Sequence, residues 1–169
     1  MSIPLINGTR VLVTAGASGI GLRIAEVFAE AGASILICDS SDSMLNSCKK
    51  DHPDWLYVKC NVSDEGDVTT LFNVTRERLG GLDILVNNAG IAGPTGGIDE
   101  LSSESWLETV NINLNGQFYC AKLAVPLLRA SSNPSIIAIS SVAGRLGYAY
   151  RTPYAATKWA IVGLAKSLA

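Results

Sequence analysis

The sequence predicts an α/β fold, a doubly wound parallel sheet with helices on both faces. Three observations carry that prediction. Five short apolar runs alternate with helical patterns along the 169 residues, as repeated β-α-β units require. The runs are apolar throughout rather than at every second residue, which suits strands covered on both faces, and a mean hydropathy of +0.28 agrees. The length itself corresponds to one domain at about 150 residues each. Right-handed crossovers then wind the chain to both sides of the sheet.

Composition excludes several classes. Apolar residues make up 48% and charged residues 17%, which rules out a disordered chain. The net charge of −2 and a pI near 5.3 provide no basic field for nucleic acid or an anionic membrane. No run approaches the 18 apolar residues of a membrane span. Cys38, Cys48, Cys60 and Cys120 show neither CxxC nor metal spacing and read as buried thiols in a reducing compartment. Residues 1–8 lack the charged and apolar regions of a signal peptide. The N-x-S/T triplets at Asn7, Asn61 and Asn73 are therefore taken as chance, and the expected location is cytoplasmic.

The elements follow in order. Residues 9–14 (TRVLVT) form a first strand that enters a glycine-rich turn. A helix is expected over residues 20–31, with Ile24, Val27, Phe28 and Ala31 on its inner face and Gly32 closing it. Ser34–Asp39 is the second strand, and Asp42 caps a helix that ends near Lys50. Residues 55–60 (WLYVKC) are the third strand, and Ser63 caps a helix ending near Gly80 and Gly81. Residues 82–86 (LDILV) are the fourth. A helix then starts at Ser102-x-x-Ser105 and runs to Leu128, with a kink or break expected at Pro126. Residues 135–140 (SIIAIS) are the fifth strand, and a last helix begins near Pro153. That helix has no stop signal before Ala169, so the chain is expected to be truncated within it.

Thr14-Ala15-Gly16-Ala17-Ser18-Gly19-Ile20-Gly21 joins a strand to a helix, the context in which a glycine-rich motif indicates a dinucleotide site. Glycines let the backbone approach a pyrophosphate, and the helix N-terminus offers free N–H groups and a positive dipole end. Asp39 lies 18 residues beyond Gly21, near the spacing of about 20 expected for a ribose-binding acid. Its carboxylate would repel a 2′-phosphate, and no Arg or Lys follows it closely, so NAD is favoured over NADP. Asp39 could equally be a helix N-cap.

Tyr154 and Lys158 are four apart on a predicted helix and share one face. A tyrosine of ordinary pKa, about 10, is a poor acid–base catalyst at neutral pH. A neighbouring ammonium and a helix N-terminus both favour the phenolate. Ser141, 13 residues earlier, follows the fifth strand, where the carboxyl ends of parallel strands form ligand sites. Its hydroxyl could polarise a substrate carbonyl; alone, it would read as a loop serine.

With these motifs assembled, the chain from about residue 9 to 169 resembles the short-chain dehydrogenase/reductase family, in its small single-domain branch. The TGxxxGIG motif corresponds to residues 14–21 and NNAG to Asn87-Asn88-Ala89-Gly90. The asparagine motif is Asn113-Leu114-Asn115-Gly116, the serine motif begins Ser140-Ser141, and YxxxK is Tyr154 to Lys158. The resemblance implies a Rossmann-type NAD(P)-binding domain and hydride transfer between NAD(H) and a secondary alcohol or ketone. It makes Tyr154 the general acid/base, with Lys158 lowering its pKa and holding the nicotinamide ribose. Ser141 would orient the substrate oxygen, and Asn113 would bend the long helix and hold a water of the proton relay. Gly16, Ser18, Ile20 and Gly21 would lie against the pyrophosphate and adjoining ribose, and Asp39 against the adenosine ribose. Asn61 and Val62 would meet adenine; Asn88, Ala89 and Gly90 would line the cleft.

Two positions depart from the family pattern. Ala15 replaces the first glycine, and Gly16 is expected to absorb the turn. Asn61 replaces an aspartate, and its amide oxygen is expected to meet the adenine amino group. Family members also continue with two further strands, more helices and a mobile substrate loop, which complete the sheet and help form a tetramer or dimer. Residues 1–169 alone are therefore expected to aggregate or fail to turn over.

Rival classes find less support. His52, the single histidine, lies in a polar turn and is expected to be solvated, which leaves a Ser-His-Asp hydrolase without its base. No cluster suits a metal. A non-enzymatic NAD(H)-binding or redox-sensing protein on the same fold is the alternative, although Ser141, Tyr154 and Lys158 are all present. Polyols, hydroxy acids and 3-oxoacyl groups all remain open as substrates.

Overall fold

The computed structural model describes residues 8–169; the segment read for a leader, up to residue 7, and the Asn7 triplet lie outside the described residues. Strands β1 (Arg10–Thr14), β2 (Ser34–Asp39), β3 (Leu56–Lys59), β4 (Ile84–Asn87) and β5 (Ser135–Ala138) form one parallel sheet in the order β3-β2-β1-β4-β5. The chain steps outward from β1 to β3, then returns past β1 to β4. The direction of winding therefore reverses between β1 and β4, and a crevice opens there at the carboxyl ends of the strands.

Residues of the central strands alternate between two cores, which is why the runs are apolar throughout. Leu12, Leu36 and Leu85 face one side, against Val68, Leu71 and Phe72 of helix α3 (Glu65–Val74). Cys120, Ala124 and Leu128 of helix α5 (Gly116–Leu128) complete that side. Val11, Val13, Ile35, Ile37 and Val86 face the other, against Ala25 and Leu45 of helices α1 (Gly19–Glu30) and α2 (Asp42–Asp51). Each such side chain contributes about 1.5–3 kcal/mol on burial. All four cysteines are buried free thiols. Among the described residues no helix is long and apolar enough to cross a membrane.

Several expectations shift by a residue or more. On α1, Ile24 and Phe28 pack against the core as expected, Gly21 and Ala25 are the fully buried positions, and Val27 is exposed. Gly32, at φ 90°, does close the helix, with its N–H on Ala29 O and that of Ala33 on Phe28 O, a Schellman arrangement. The cap of α2 is Ser41, which accepts the Met44 N–H, and Asp42 lies in the first turn, favoured there by the helix dipole. The cap of α3 is Asp64, which accepts the Asp67 N–H at 2.9 Å; Ser63 is engaged by Asn61 instead. A wide π-type turn, Thr75–Leu79, extends α3 to Gly80 at φ 75°. The long helix comprises α4 (Ser103–Val110), a second wide turn (Asn111–Asn115) and α5. It runs through Pro126, which removes one ladder bond, to the Lys122 carbonyl, and the helix ends two residues later at Leu128. Helix α6 is Thr152–Leu168.

Candidate active site

Sites in this architecture assemble at the carboxyl ends of β1, β2, β4 and β5. After β1 it is Ala15, not Gly16, that takes the left-handed conformation, at φ 48°. Gly16 is required for space: a Cβ there would stand 2.7 Å from Ile37 Cγ2. Its N–H binds Cys38 O at 3.0 Å, drawing the turn onto β2. A Cβ on Gly21 would collide with the Ala15 carbonyl, so this glycine lets α1 begin directly against the turn. Ser18 is the N-cap but its side chain makes no capping bond, and the first turn holds no acid. Ser18, Gly19 and Ile20 are exposed. The N–H groups that open α1 therefore face outward and are available to an anion.

Thr14 carries no role in the sequence-based expectations, and the structure supplies one. Its Oγ1 accepts the N–H groups of Asn88 and Ala89 at 3.0 and 2.9 Å. Asn88 Nδ2 donates back to the carbonyls of Thr14 and Ala15 at 2.9 and 3.1 Å. The crevice walls, β1 and β4, are thus clasped together by polar groups that would otherwise be orphaned. The amide nitrogen of Asn88 is engaged in this clasp, while Ala89 and Gly90 form the cavity surface.

Asp39, Asn61, Val62, Ala89 and Gly90 line one cavity of about 130 Å³. Asp39 is not a helix cap; its Oδ1 accepts the Ser41 N–H at 3.0 Å in the turn before α2. Asn61 departs from expectation: its Oδ1 already accepts the Ser63 N–H and hydroxyl at 3.1 and 2.8 Å. Both lone pairs are engaged, so that oxygen is not free to meet an adenine amino group. The sheet also brings a cation that sequence distance hides, since Lys59 is the register partner of Asp39. Its ammonium is bonded to Asp42. A larger groove of about 600 Å³, beside β5 and the end of α6, contains none of the candidate residues.

The second half of the site hangs on α6. Tyr154 lies in its first turn and Lys158 one turn later. Lys158 is buried; its Nζ donates to Ile139 O at 2.9 Å and lies 5.6 Å from the Tyr154 ring centroid. Burial pushes the Lys158 pKa below the ordinary lysine value. Ser141 follows β5 and caps a short 3₁₀ turn (Val142–Gly144), its Oγ accepting the Ala143 N–H at 3.2 Å. Ser140, a further residue missed from sequence, donates from Oγ to Lys158 O at 2.7 Å and fastens β5 to α6. Gly144 permits that approach, because a Cβ there would meet Lys158 O at 2.5 Å.

Asn113 lies in the second wide turn and is fully buried. Its amide binds Ile91 and Thr157 Oγ1, so the bend expected at this position is present and its side chain is committed. His52 is partly rather than fully solvated: it stacks on Trp55 at 4.1 Å and its Nε2 lies 3.4 Å from Glu26 Oε1. Among the described residues no cluster of three metal-ligating side chains occurs.

A family model described as short chain dehydrogenase matches residues 9–169. The chain is 38% identical over 162 residues to L-fucose dehydrogenase of Bos taurus, covering 96% of this chain and 60% of that protein. It is 34% identical over 163 residues to the 3beta-hydroxysteroid dehydrogenase of Mediterraneibacter gnavus, covering 94% and 59%. Among solved structures, levodione reductase superposes with a TM-score of 0.91 at 30% identity, over 97% of this chain and 66% of that one. The chain thus spans about 60% of the length of these curated relatives. Together with the parallel sheet, the glycine turn at its switch point and Tyr154 above a buried Lys158, the match across residues 9–169 means that this chain belongs to the short-chain dehydrogenase family.

Proposed function

We propose that residues 9–169 form a single dinucleotide-binding domain that oxidises a secondary alcohol, or reduces the corresponding ketone, with Tyr154 as general acid/base. The observation that carries this reading is the buried ammonium of Lys158 beside the Tyr154 ring, at the end of the crevice opposite the glycine turn. The residues fit a nicotinamide dinucleotide. Gly16 and Gly21 let the turn close tightly on Ile37 and the Ala15 carbonyl, and the exposed start of α1 that this turn presents offers N–H donors to a pyrophosphate. When bound, the nicotinamide supplies the hydride acceptor or donor.

The chain's own residues do the rest. Tyr154 Oη exchanges the proton of the substrate oxygen, and Lys158 stabilises the phenolate while reaching toward the nicotinamide ribose. Ser141 accepts a bond from Ala143, which leaves its O–H free to donate to the substrate oxygen. The Asn113 amide is engaged, so holding a relay water falls to the main chain of its wide turn. Gly16, Ser18, Ile20 and Gly21 hold the pyrophosphate and adjoining ribose; Val62, Ala89 and Gly90 line the adenosine side, with Asn61 at its rim. Asp39 accepts the ribose hydroxyls and repels a 2′-phosphate, which favours NAD. Substrates of the polyol, hydroxy acid or 3-oxoacyl type, a cytoplasmic location and assembly as a tetramer or dimer belong to the same reading. Exposed Trp106, Phe118 and Trp159 on α4, α5 and α6 support the assembly.

The test uses the intact protein, NADH binding by fluorescence and turnover over a panel of secondary alcohols. Tyr154→Phe is expected to keep NADH binding and to lower kcat by about 10²–10⁴-fold. NADH binding without turnover on any alcohol would leave a protein that only binds the dinucleotide.

A further inference from the structure

Arg151, immediately before α6, is an arginine without an acid. Its Cζ lies 5.5 Å from the Tyr154 ring centroid and 5.8 Å from that of Tyr148. Nη2 donates to Ala92 O at 2.6 Å, while Nε is buried with no hydrogen-bond partner. Arg151, like Arg76, Arg78, Arg129 and Arg145, has no carboxylate partner among the described residues, but among them it is the arginine with a buried, unpartnered nitrogen. The backbone is strained to put it there. Tyr150 is left-handed at φ 59°, an uncommon state for a bulky residue, and its carbonyl accepts the Gly96 N–H at 3.0 Å. Val142, Leu146 and Tyr148, in the segment between Ser141 and Arg151, are exposed apolar side chains, Leu146 bonded through its N–H to Val142 O and Tyr148 lying against Arg151.

A guanidinium with an unfilled donor, held against the ring of the proposed acid/base, calls for an anionic acceptor from outside the chain. Nε itself is closed to solvent, so such an acceptor meets the guanidinium at its remaining Nη donors. We propose that Arg151 is a specificity-determining residue that binds the carboxylate of the substrate, a hydroxy acid or its oxo acid, whose apolar body lies on the Val142, Leu146 and Tyr148 side chains. This rests on the reading of Tyr154 as the acid/base.

The experiment compares benzoate with benzamide, similar in shape and different in charge, by calorimetry on the intact protein with NADH bound. Benzoate is expected to bind roughly 10- to 100-fold tighter, the range of a charge-assisted pair. Arg151→Gln abolishes the preference, Arg151→Lys keeps part of it, and Tyr154→Phe keeps it. Equal affinity for the two probes, or a preference that survives Arg151→Gln, overturns the proposal. Alcohol turnover is recorded on the same wild-type sample. Preference without turnover supports Arg151 as a carboxylate site while overturning the dehydrogenase reading; turnover without preference does the reverse.

Discussion

Asn113 holds Ile91 by both of its backbone groups. Oδ1 accepts the Ile91 N–H at 2.7 Å, and Nδ2 donates to the Ile91 carbonyl at 2.9 Å and to Thr157 Oγ1 at 3.2 Å. One buried amide thus joins the loop after β4, the bend of the long helix and the helix that carries Tyr154 and Lys158. Replacing it with Ala strands the Ile91 pair away from water, at about 1–3 kcal/mol for each group. Asn113→Ala should therefore lose roughly 2–6 kcal/mol in urea denaturation.

The glycine turn makes opposite predictions at adjacent positions. Ala15 occupies the left-handed region, where a Cβ costs about 1 kcal/mol or more. Ala15→Gly should therefore be neutral or raise stability, by up to about 1 kcal/mol. Gly16→Ala drives a Cβ into Ile37 and should lower stability by about 1–3 kcal/mol. Thermal melts of the two variants check the pair.

Asp39 stands alone among the cavity residues as an anion. Asp39→Ala should narrow the NADH/NADPH affinity ratio, measured by fluorescence titration. Asp39→Ala with Asp42→Ala, which also frees Lys59, should narrow it further. An unchanged ratio in both would restrict Asp39 to its turn with Ser41.

Arg10 and Asp83 pin the start of β1 to the loop before β4. Arg10 Nε and N–H both donate to Asp83 Oδ2 at 2.9 Å, and Nη2 donates to Oδ1 at 2.8 Å. The hydrogen-bonded guanidinium holds the Asp83 pKa well below the usual carboxylate range. A folded pKa below the unfolded value, about 3.9, contributes stability that is complete above that pH and is lost as pH falls toward the folded value. Asp83→Asn should cost stability at pH 7, and its difference from wild type should shrink below about pH 4 in acid denaturation curves.

The central strands β1, β2 and β4 were legible because each is an apolar run, rich in β-branched residues and covered on both faces. The cap errors have a local cause. Ser41 and Asp42, like Ser63 and Asp64, are adjacent residues that both cap well, and only the path of the chain chooses between them. Thr14, Ser140 and Thr157 were illegible for a different reason: their partners lie 74, 18 and 44 residues away. The sequence offers Arg151 only as one candidate wall of the substrate pocket; its seat between the Tyr148 and Tyr154 rings, with Nε unpartnered, is set by the fold.

By itself the sequence determined the class of fold, the order of its elements and the residues able to bind a dinucleotide or move a proton, because hydrophobic period and side-chain chemistry are local properties. Tertiary structure decided which of those groups are free. It consumed the amide nitrogen of Asn88, the amide of Asn113 and the oxygen of Asn61, left the start of α1 and the Nε of Arg151 unpaired, and put the left-handed turn on Ala15. Whether a polar group serves a ligand depends on what the rest of the chain has already bound to it, and only packing across the sheet settles that.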